Sequence, residues 1–338
     1  MAGEQRGPYL SRRRFAQGAG VAGLGLLAGC GRRPGQAQPA RVPRIGVLRS
    51  NPEQLGVTGA FPQDQEAAFV QGLRELGYAE GHNIHIERRY AEGVAELIQL
   101  PVDVILAAGT LAIRAAKDAT DTIPIVMVIA NDPVQQGFVA SLARPGGNLT
   151  GLGDLGAQLQ GKRLEVLKDT VPGLVRVAFL WNPAISDRAY ERQETEAAAQ
   201  ALALRLHPLA ARTPEELEAA FAAAATEPPE ALLLQNSALI SGHQARIAEL
   251  AARSRLVTMA GVPDFAANGG LMGYGPNRAD QWRRAAYYVD KILRGTPPAE
   301  LPVEQPMRID FAINLKTAQA LGLTIPQHVL LQATEIIQ

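Results

Sequence analysis

The sequence predicts an α/β protein made of two doubly wound lobes, each a parallel sheet with helices on both faces. Short apolar runs rich in β-branched residues alternate with amphipathic segments at intervals of roughly 20–35 residues, the pattern of a parallel sheet. The alternation runs through two sets of similar size, about 110–120 residues each, which fits two lobes better than one giant sheet. A chain of 338 residues that is 47% hydrophobic supplies both cores.

Arg44–Arg49 reads as a buried strand. Gln63–Gly77 carries Ala67, Phe69, Val70, Leu73 and Leu76 at helical spacing and stops on Gly77. Asn83–Tyr90 alternates Ile84 and Ile86 with polar residues, Asp103–Ala108 is apolar, and Leu111–Ala119 is helical. Ile123–Ile129 is a fourth strand, with Pro124 tolerable near its start. Leu149–Leu155 reads as a connecting strand, and Gln158–Thr170 as a helix stopped by Pro172 and Gly173. Strand Arg176–Trp181, helix Asp187–Leu204 and strand Leu206–Ala210 follow. Helix Pro214–Ala225 opens with Thr213 as cap, proline at its first position, and Glu215 and Glu216 in its first turn. Strands Ala231–Gln235 and Leu256–Met259 flank helix Ile240–Arg253, and strand Leu271–Tyr274 precedes helix Ala279–Leu293.

The first 29 residues read as an export signal. Ser11, Arg12, Arg13, Arg14 and Phe15 lead into the small, weakly apolar stretch Ala16–Ala28, too short for a membrane span of ~20 residues. The paired arginines resemble the twin-arginine class. Leu27 to Cys30 resembles a lipobox, where cleavage before Cys30 leaves the cysteine free for lipid attachment. Residues 30–42 have no apolar period and read as a flexible tether. The expected location is outside the cytoplasmic membrane, anchored through lipid on Cys30.

Composition removes several function classes. The chain balances 33 basic against 33 acidic residues. The signal holds Arg6, Arg12, Arg13 and Arg14 against Glu4, so the remainder is slightly acidic and lacks the basic stripe that nucleic acid requires. Cys30 is the sole cysteine, which excludes disulfides and cysteine metal sites. No phosphate-binding loop, dinucleotide fingerprint or nucleophile elbow occurs. His82 and His85 lack a carboxylate at metal-ligand spacing. Nothing nominates a catalytic pair, so neither catalysis, cofactor nor metal is expected.

What recurs is a polar cluster after strand upon strand: Ser50 and Asn51; Gly109 and Thr110; Asn131 and Asp132; Asn182 and Ser186; Gln235, Asn236 and Ser237; Gly261 to Asp264. Ligands of open α/β sheets sit beyond the carboxyl ends of the strands, where helix N-termini present free N–H groups. Thr110 and Ser237 could each cap such a helix. The alternative is that these residues only make turns. Asp132 and Asp264 are either pocket carboxylates or turn residues. Tyr90, Trp181, Phe265 and Tyr274 are either an aromatic wall or core packing. The glycines on both sides of Tyr274 mark a hinge strand or a close ligand approach.

Three stretches carry a family resemblance: Ile123 through Asp132 and Ser141 to Gly151; Gly270–Pro276 with Tyr288–Gly295; and Leu301–Pro306 with Ile313–Gly322. Together they resemble ABC-transporter substrate-binding proteins of the tryptophan/tyrosine-binding-like group, over essentially all of residues 43–338. The resemblance implies a type I-like periplasmic-binding-protein fold, two Rossmann-like lobes joined by a three-crossing hinge. The crossings fall near Leu149–Leu155, Leu271–Gly275 and Met307–Asn314, giving lobes 43–152 plus 274–306 and 153–273 plus 307–338. It also implies a solute-binding protein that closes on a small molecule and delivers it to an ABC permease. Candidate contacts are Ser50, Asn51, Gly109, Thr110, Asn131 and Asp132 in the first lobe, Asn182, Asn236, Ser237 and Asp264 in the second, and Tyr274 at the middle crossing. For an amino acid, Asp132 or Asp264 would meet the ammonium and the Thr110 or Ser237 helix start the carboxylate. The chain departs from the family where Thr110-Leu111 replaces a Thr-Pro pair and where Asn131 and Gln135 flank Asp-Pro-Val. A ligand-sensing module for a membrane receptor and an exported enzyme on the same fold are the alternatives.

Overall fold

A computed structural model describes residues 41–50, 63–183, 189–224 and 227–338. The export signal, Cys30, Asn51 and Ser186 lie outside the described residues. Residues 42–338 form one compact unit.

The first sheet is wholly parallel, with strand order β2-β1-β3-β4-β5. Its strands are β1 (Arg44–Arg49), β2 (His85–Tyr90), β3 (Val104–Ala108), β4 (Ile125–Asn131) and β5 (Leu149–Asp154), with helices α1 (Gln63–Glu75), α2 (Val94–Gln99) and α3 (Thr110–Ala119) between them. The period of two sorts the side chains between the faces. Ile45, Val47, Val104, Leu106, Val126 and Val128 pack on one side with Phe69 and Leu73 of α1. Leu48, Ile105, Ala107, Ile125 and Met127 pack on the other with Leu97 of α2 and Ile113 of α3. Leu149–Asp154, expected as a connector, is a full edge strand of this sheet.

The second sheet has order β12-β11-β10-β9-β8-β6-β7. After α4 (Gln160–Thr170) come β6 (Arg176–Trp181), α5 (Ala189–Ala201), β7 (Arg205–Ala210), α6 (Pro214–Ala224) and β8 (Ala231–Leu234). Next are α7 (Ala238–Gly242), α8 (Gln244–Arg253), β9 (Val257–Ala260), α9 (Asp264–Ala267) and β10 (Met272–Pro276). The expected single helix at Ile240–Arg253 is two, parted at His243. Its faces are again separate: Val177, Phe179, Leu233 and Met259 on one, Ala178, Leu180, Leu232 and Leu234 on the other.

The chain then returns to the first sheet. Helix α10 (Arg278–Leu293) buries Trp282, Ala285, Ala286 and Val289 against Ile45, Val47 and Phe69. Glu304 continues alongside β5, its amide bonded to Gly151 O and its carbonyl to Gly153 N. The last segment, β11 (Ile309–Asn314), α11 (Leu315–Leu321), α12 (Gln327–Leu330) and β12 (Glu335–Ile337), rejoins the second sheet. Strand β11 is antiparallel to β10, so this sheet is mixed, because the chain re-enters it from the end at which it left. Among the described residues no helix is long and apolar enough to cross a membrane.

Helices α1 and α10 approach at Gly72, where an added Cβ would lie 2.7 Å from Arg283 O and 2.9 Å from Ala286 Cβ. Gly72→Val should therefore destabilise the fold by about 1–3 kcal/mol through overpacking. An unchanged denaturation midpoint would refute the close contact.

Acid should weaken the same region. Arg284 forks onto Glu304 at 2.7 and 2.9 Å and holds its carboxyl below the usual 4.5, with burial opposing. A folded pKa below the unfolded one stabilises the fold above about pH 4.5 and ceases to do so as pH falls further. The stability gap between wild type and Glu304→Gln should be present above about pH 4.5 and close progressively as the pH falls below it. A gap that persists at the acid end would contradict this account.

Candidate functional site

In both sheets the strand order reverses at one place. From β1 the chain turns outward to β2 and then crosses back to β3; from β6 it turns outward to β7 and back to β8. The helices that follow the two central strands lie on opposite faces: α1 against α3, and α5 against α8. Such a switch point opens a crevice at the carboxyl ends of the strands, where ligands of open α/β sheets bind. Ser50 and Gly109 stand at the first crevice; Asn182 and Asn236 stand at the second.

At the first, Gly109 precedes α3 with φ of +83°, which favours glycine, and its amide bonds to Val128 O. Gly109 therefore occupies the cap position and Thr110 is the first helical residue, a correction to the expected Thr110 cap. Asn131 is buried, and its Nδ2 donates to Thr110 Oγ1 at 3.1 Å. Ser50 Oγ lies 3.8 Å from where a Gly109 Cβ would stand. Ser50, Gly109, Thr110 and Asn131 are thus brought together. A β-bulge in β4 turns the end of that strand: register slips between Met127 and Ala130, and Ile129 has φ of +61°. A β-branched residue in that region costs about 1–3 kcal/mol and is held there by its surroundings. Asp132 follows with φ of +30°, its Oδ1 accepting the Gln135 amide at 3.1 Å, the turn role left open for it.

The second crevice is more deeply buried. The Asn182 amide donates to Gln235 Oε1 at 2.9 Å. Glu191, in the first turn of α5, is 1% exposed; its Oε1 accepts Gln160 Nε2 at 2.7 Å and the Asn236 amide at 3.4 Å. The Asn236 carboxamide is sandwiched between Gly261, whose Cβ would overlap it, and Gly156, whose Cβ would stand 3.3 Å from Nδ2. Ser237 caps α7, its Oγ accepting the Ile240 amide at 3.3 Å.

Beside this cluster two segments that link the sheets are clasped. Arg163 is fully buried, donating through Nε to Tyr274 O (2.8 Å) and through its terminal nitrogens to Gly156 O (2.8 Å) and Gly261 O (3.4 Å). Burial pulls its pKa down to about 10, against the opposing influence of Glu191 and Asp154. Arg278 forks onto the buried Asp154 at 3.2 Å and also reaches Gln281, whose Nε2 donates to Gly153 O.

Other expected residues stand apart from these clusters. Tyr274 sits in β10 opposite Phe311 and packs its ring edge-on against it. The close approach marked by Gly273 and Gly275 is made by the chain itself: Cβ atoms there would overlap the carbonyls of Val262 and Gly261. Phe265 is wholly in the core rather than in an aromatic wall. Asp264 is exposed at the start of α9.

Gln160, Arg163, Glu191, Asp154 and Arg278 were not among the sequence candidates. The signal was present in the helical stripes. Gln160, Arg163, Leu164 and Leu167 share the buried face of α4, and Glu191, Thr195 and Ala199 that of α5. A polar residue at the head of an apolar stripe is a residue the fold must bury. No group of histidine, aspartate and glutamate able to hold a metal occurs among the described residues.

Comparison with known proteins places this arrangement. The profile of the family described as ABC transporter substrate binding protein matches residues 63–337. A tyrosine-binding protein of Clostridioides difficile (strain R20291) is 23% identical over 315 residues, 90% of each chain. A conserved domain protein of Vibrio cholerae superposes with a TM-score of 0.79 at 23% identity, over 88% of this chain and all of that one. An ABC domain from Streptococcus pneumoniae in complex with L-Trp superposes with a TM-score of 0.78 at 24% identity, over 87% and 99%. The fold is that of type I-like periplasmic binding proteins. The chain belongs to the family of ABC transporter substrate-binding proteins.

Proposed function

We propose that the protein is the extracytoplasmic, lipid-anchored solute-binding component of an ABC importer. Cys30 carries the anchor, and a permease receives the loaded form. A small molecule of the amino-acid class is held between the carboxyl edges of the two sheets. The observation that carries this reading is the coincidence of switch point and polar cluster in both sheets: Ser50, Gly109, Thr110 and Asn131 at one, Asn182, Asn236 and Ser237 at the other. The ligands named for the relatives, tyrosine and L-tryptophan, support the amino-acid class.

The expected division into lobes then shifts by a few residues to follow the strand ends, with hinge crossings after Asp154, after Pro276 and before Ile309. A ligand that touches both edges stabilises the closed form only through its preference for that form. Thermal unfolding of the full chain against a panel of the common amino acids tests the reading. A binding compound raises the midpoint in proportion to log concentration above its dissociation constant. A folded protein whose midpoint no amino acid raises would overturn the amino-acid class.

A further inference from the structure

We infer that Glu191 anchors a cationic amine of the ligand, in a subsite completed by Gln160, Gln235 and Asn236 that admits ligands of zero net charge. The inference rests on the solute-binding reading and names the groups that would execute it.

Three polar atoms without a protein partner belong to side chains of this cluster. Among the described residues four buried side-chain polar atoms have none, and Gln160 Oε1, Gln235 Nε2 and Asn236 Nδ2 are three of them. Each carries an unrecovered desolvation penalty as long as it stays unsatisfied. The orientation of two amides follows from their neighbours. Gln160 must turn its nitrogen to the Glu191 carboxylate, which leaves its oxygen available. Gln235 must turn its oxygen to the Asn182 amide, which leaves its nitrogen available. The subsite therefore offers one acceptor beside a buried carboxylate, together with the amide donors of Gln235 and Asn236. An ammonium matches the first pair, and a carboxylate matches the amide donors.

Charge limits the ligand further. Among the described residues Arg163 and Arg278 face Asp154 and Glu191, two cations against two anions; Arg163, Asp154 and Glu191 are buried and the Arg278 side chain is 11% exposed. The set is internally balanced, so a net-charged ligand would bring an uncompensated charge into a desolvated site. A zwitterion leaves the balance intact.

The test compares each amino acid that shifts the full-length protein with its decarboxylated amine and its deaminated acid, by calorimetry on wild type, Glu191→Gln and Gln160→Ala. The zwitterion should bind wild type at least about tenfold more tightly than either analogue. Glu191→Gln should weaken the zwitterion by about tenfold to a hundredfold and leave the deaminated acid little changed. Gln160→Ala keeps the Glu191 charge opposite Arg163, so it reports on the subsite even where Glu191→Gln fails to fold; it should weaken the zwitterion too. Equal zwitterion affinity in wild type and both variants would overturn the inference while the solute-binding reading stands. Preference for a singly charged analogue would overturn the charge rule alone. If neither zwitterions nor analogues bind wild type, both this inference and the amino-acid reading fall.

Discussion

Arg163→Met should lower the unfolding free energy by about 3–5 kcal/mol, the largest single-site loss expected outside the apolar core. The arginine is buried, and its three hydrogen bonds end on the carbonyls of Gly156, Tyr274 and Gly261. Those carbonyls belong to the segment leaving the first sheet, to the strand leading back to it, and to the loop beneath Asn236. Methionine matches the volume without supplying a donor. It strands the carbonyls and leaves Glu191 and Asp154 with less compensating charge nearby. Part of the loss is offset, since burying the guanidinium was itself costly, as its pKa of about 10 shows. Arg163→Lys should recover little, because one ammonium on a flexible stem cannot span three separated carbonyls. Chemical denaturation of the full chain measures the effect. A loss below about 1 kcal/mol would mean that water replaces the guanidinium without strain.

The same residue shows where sequence reading stops. The strands of both sheets were legible because a buried parallel strand has to be a short apolar run between turn residues; Arg44–Arg49 and Arg176–Trp181 match to the residue. The polar ends of those strands were legible for a related reason. Residues such as Ser50, Gly109, Asn131, Asn182 and Asn236 break the apolar run just where the backbone must turn. Arg163, Glu191 and Gln160 gave no such break. They sit within helices whose exposed faces carry many charged residues, and only the register of the stripe separates a buried polar group from a solvated one. The antiparallel β11 and the edge strand β12 were beyond periodicity as well, since their partners are distant in sequence. Family motifs supplied the third crossing, and pattern did not.

Gly261→Ala should cost about tenfold to a hundredfold in ligand affinity while the protein still folds. A methyl at that position overlaps the Asn236 carboxamide. The loop cannot withdraw easily, because the Gly261 carbonyl already fills the space where a Gly275 Cβ would stand and is also bonded to Arg163. On its other side the carboxamide meets Gly156. The side chain is therefore the part that yields, and it swings Nδ2 away from the cluster around Glu191. The accompanying stability loss should be about 1–3 kcal/mol, the usual cost of overpacking. Asn236→Ala on the Gly261→Ala background separates the two effects, because it removes the clash together with the donor. That double variant should regain most of the lost stability and none of the affinity, so the two substitutions are coupled in folding and act as one in binding. Wild-type affinity in Gly261→Ala would place the ligand elsewhere on the sheet edge. Restored affinity in the double variant would show that the loop around Gly261, rather than the Asn236 amide, makes the contact.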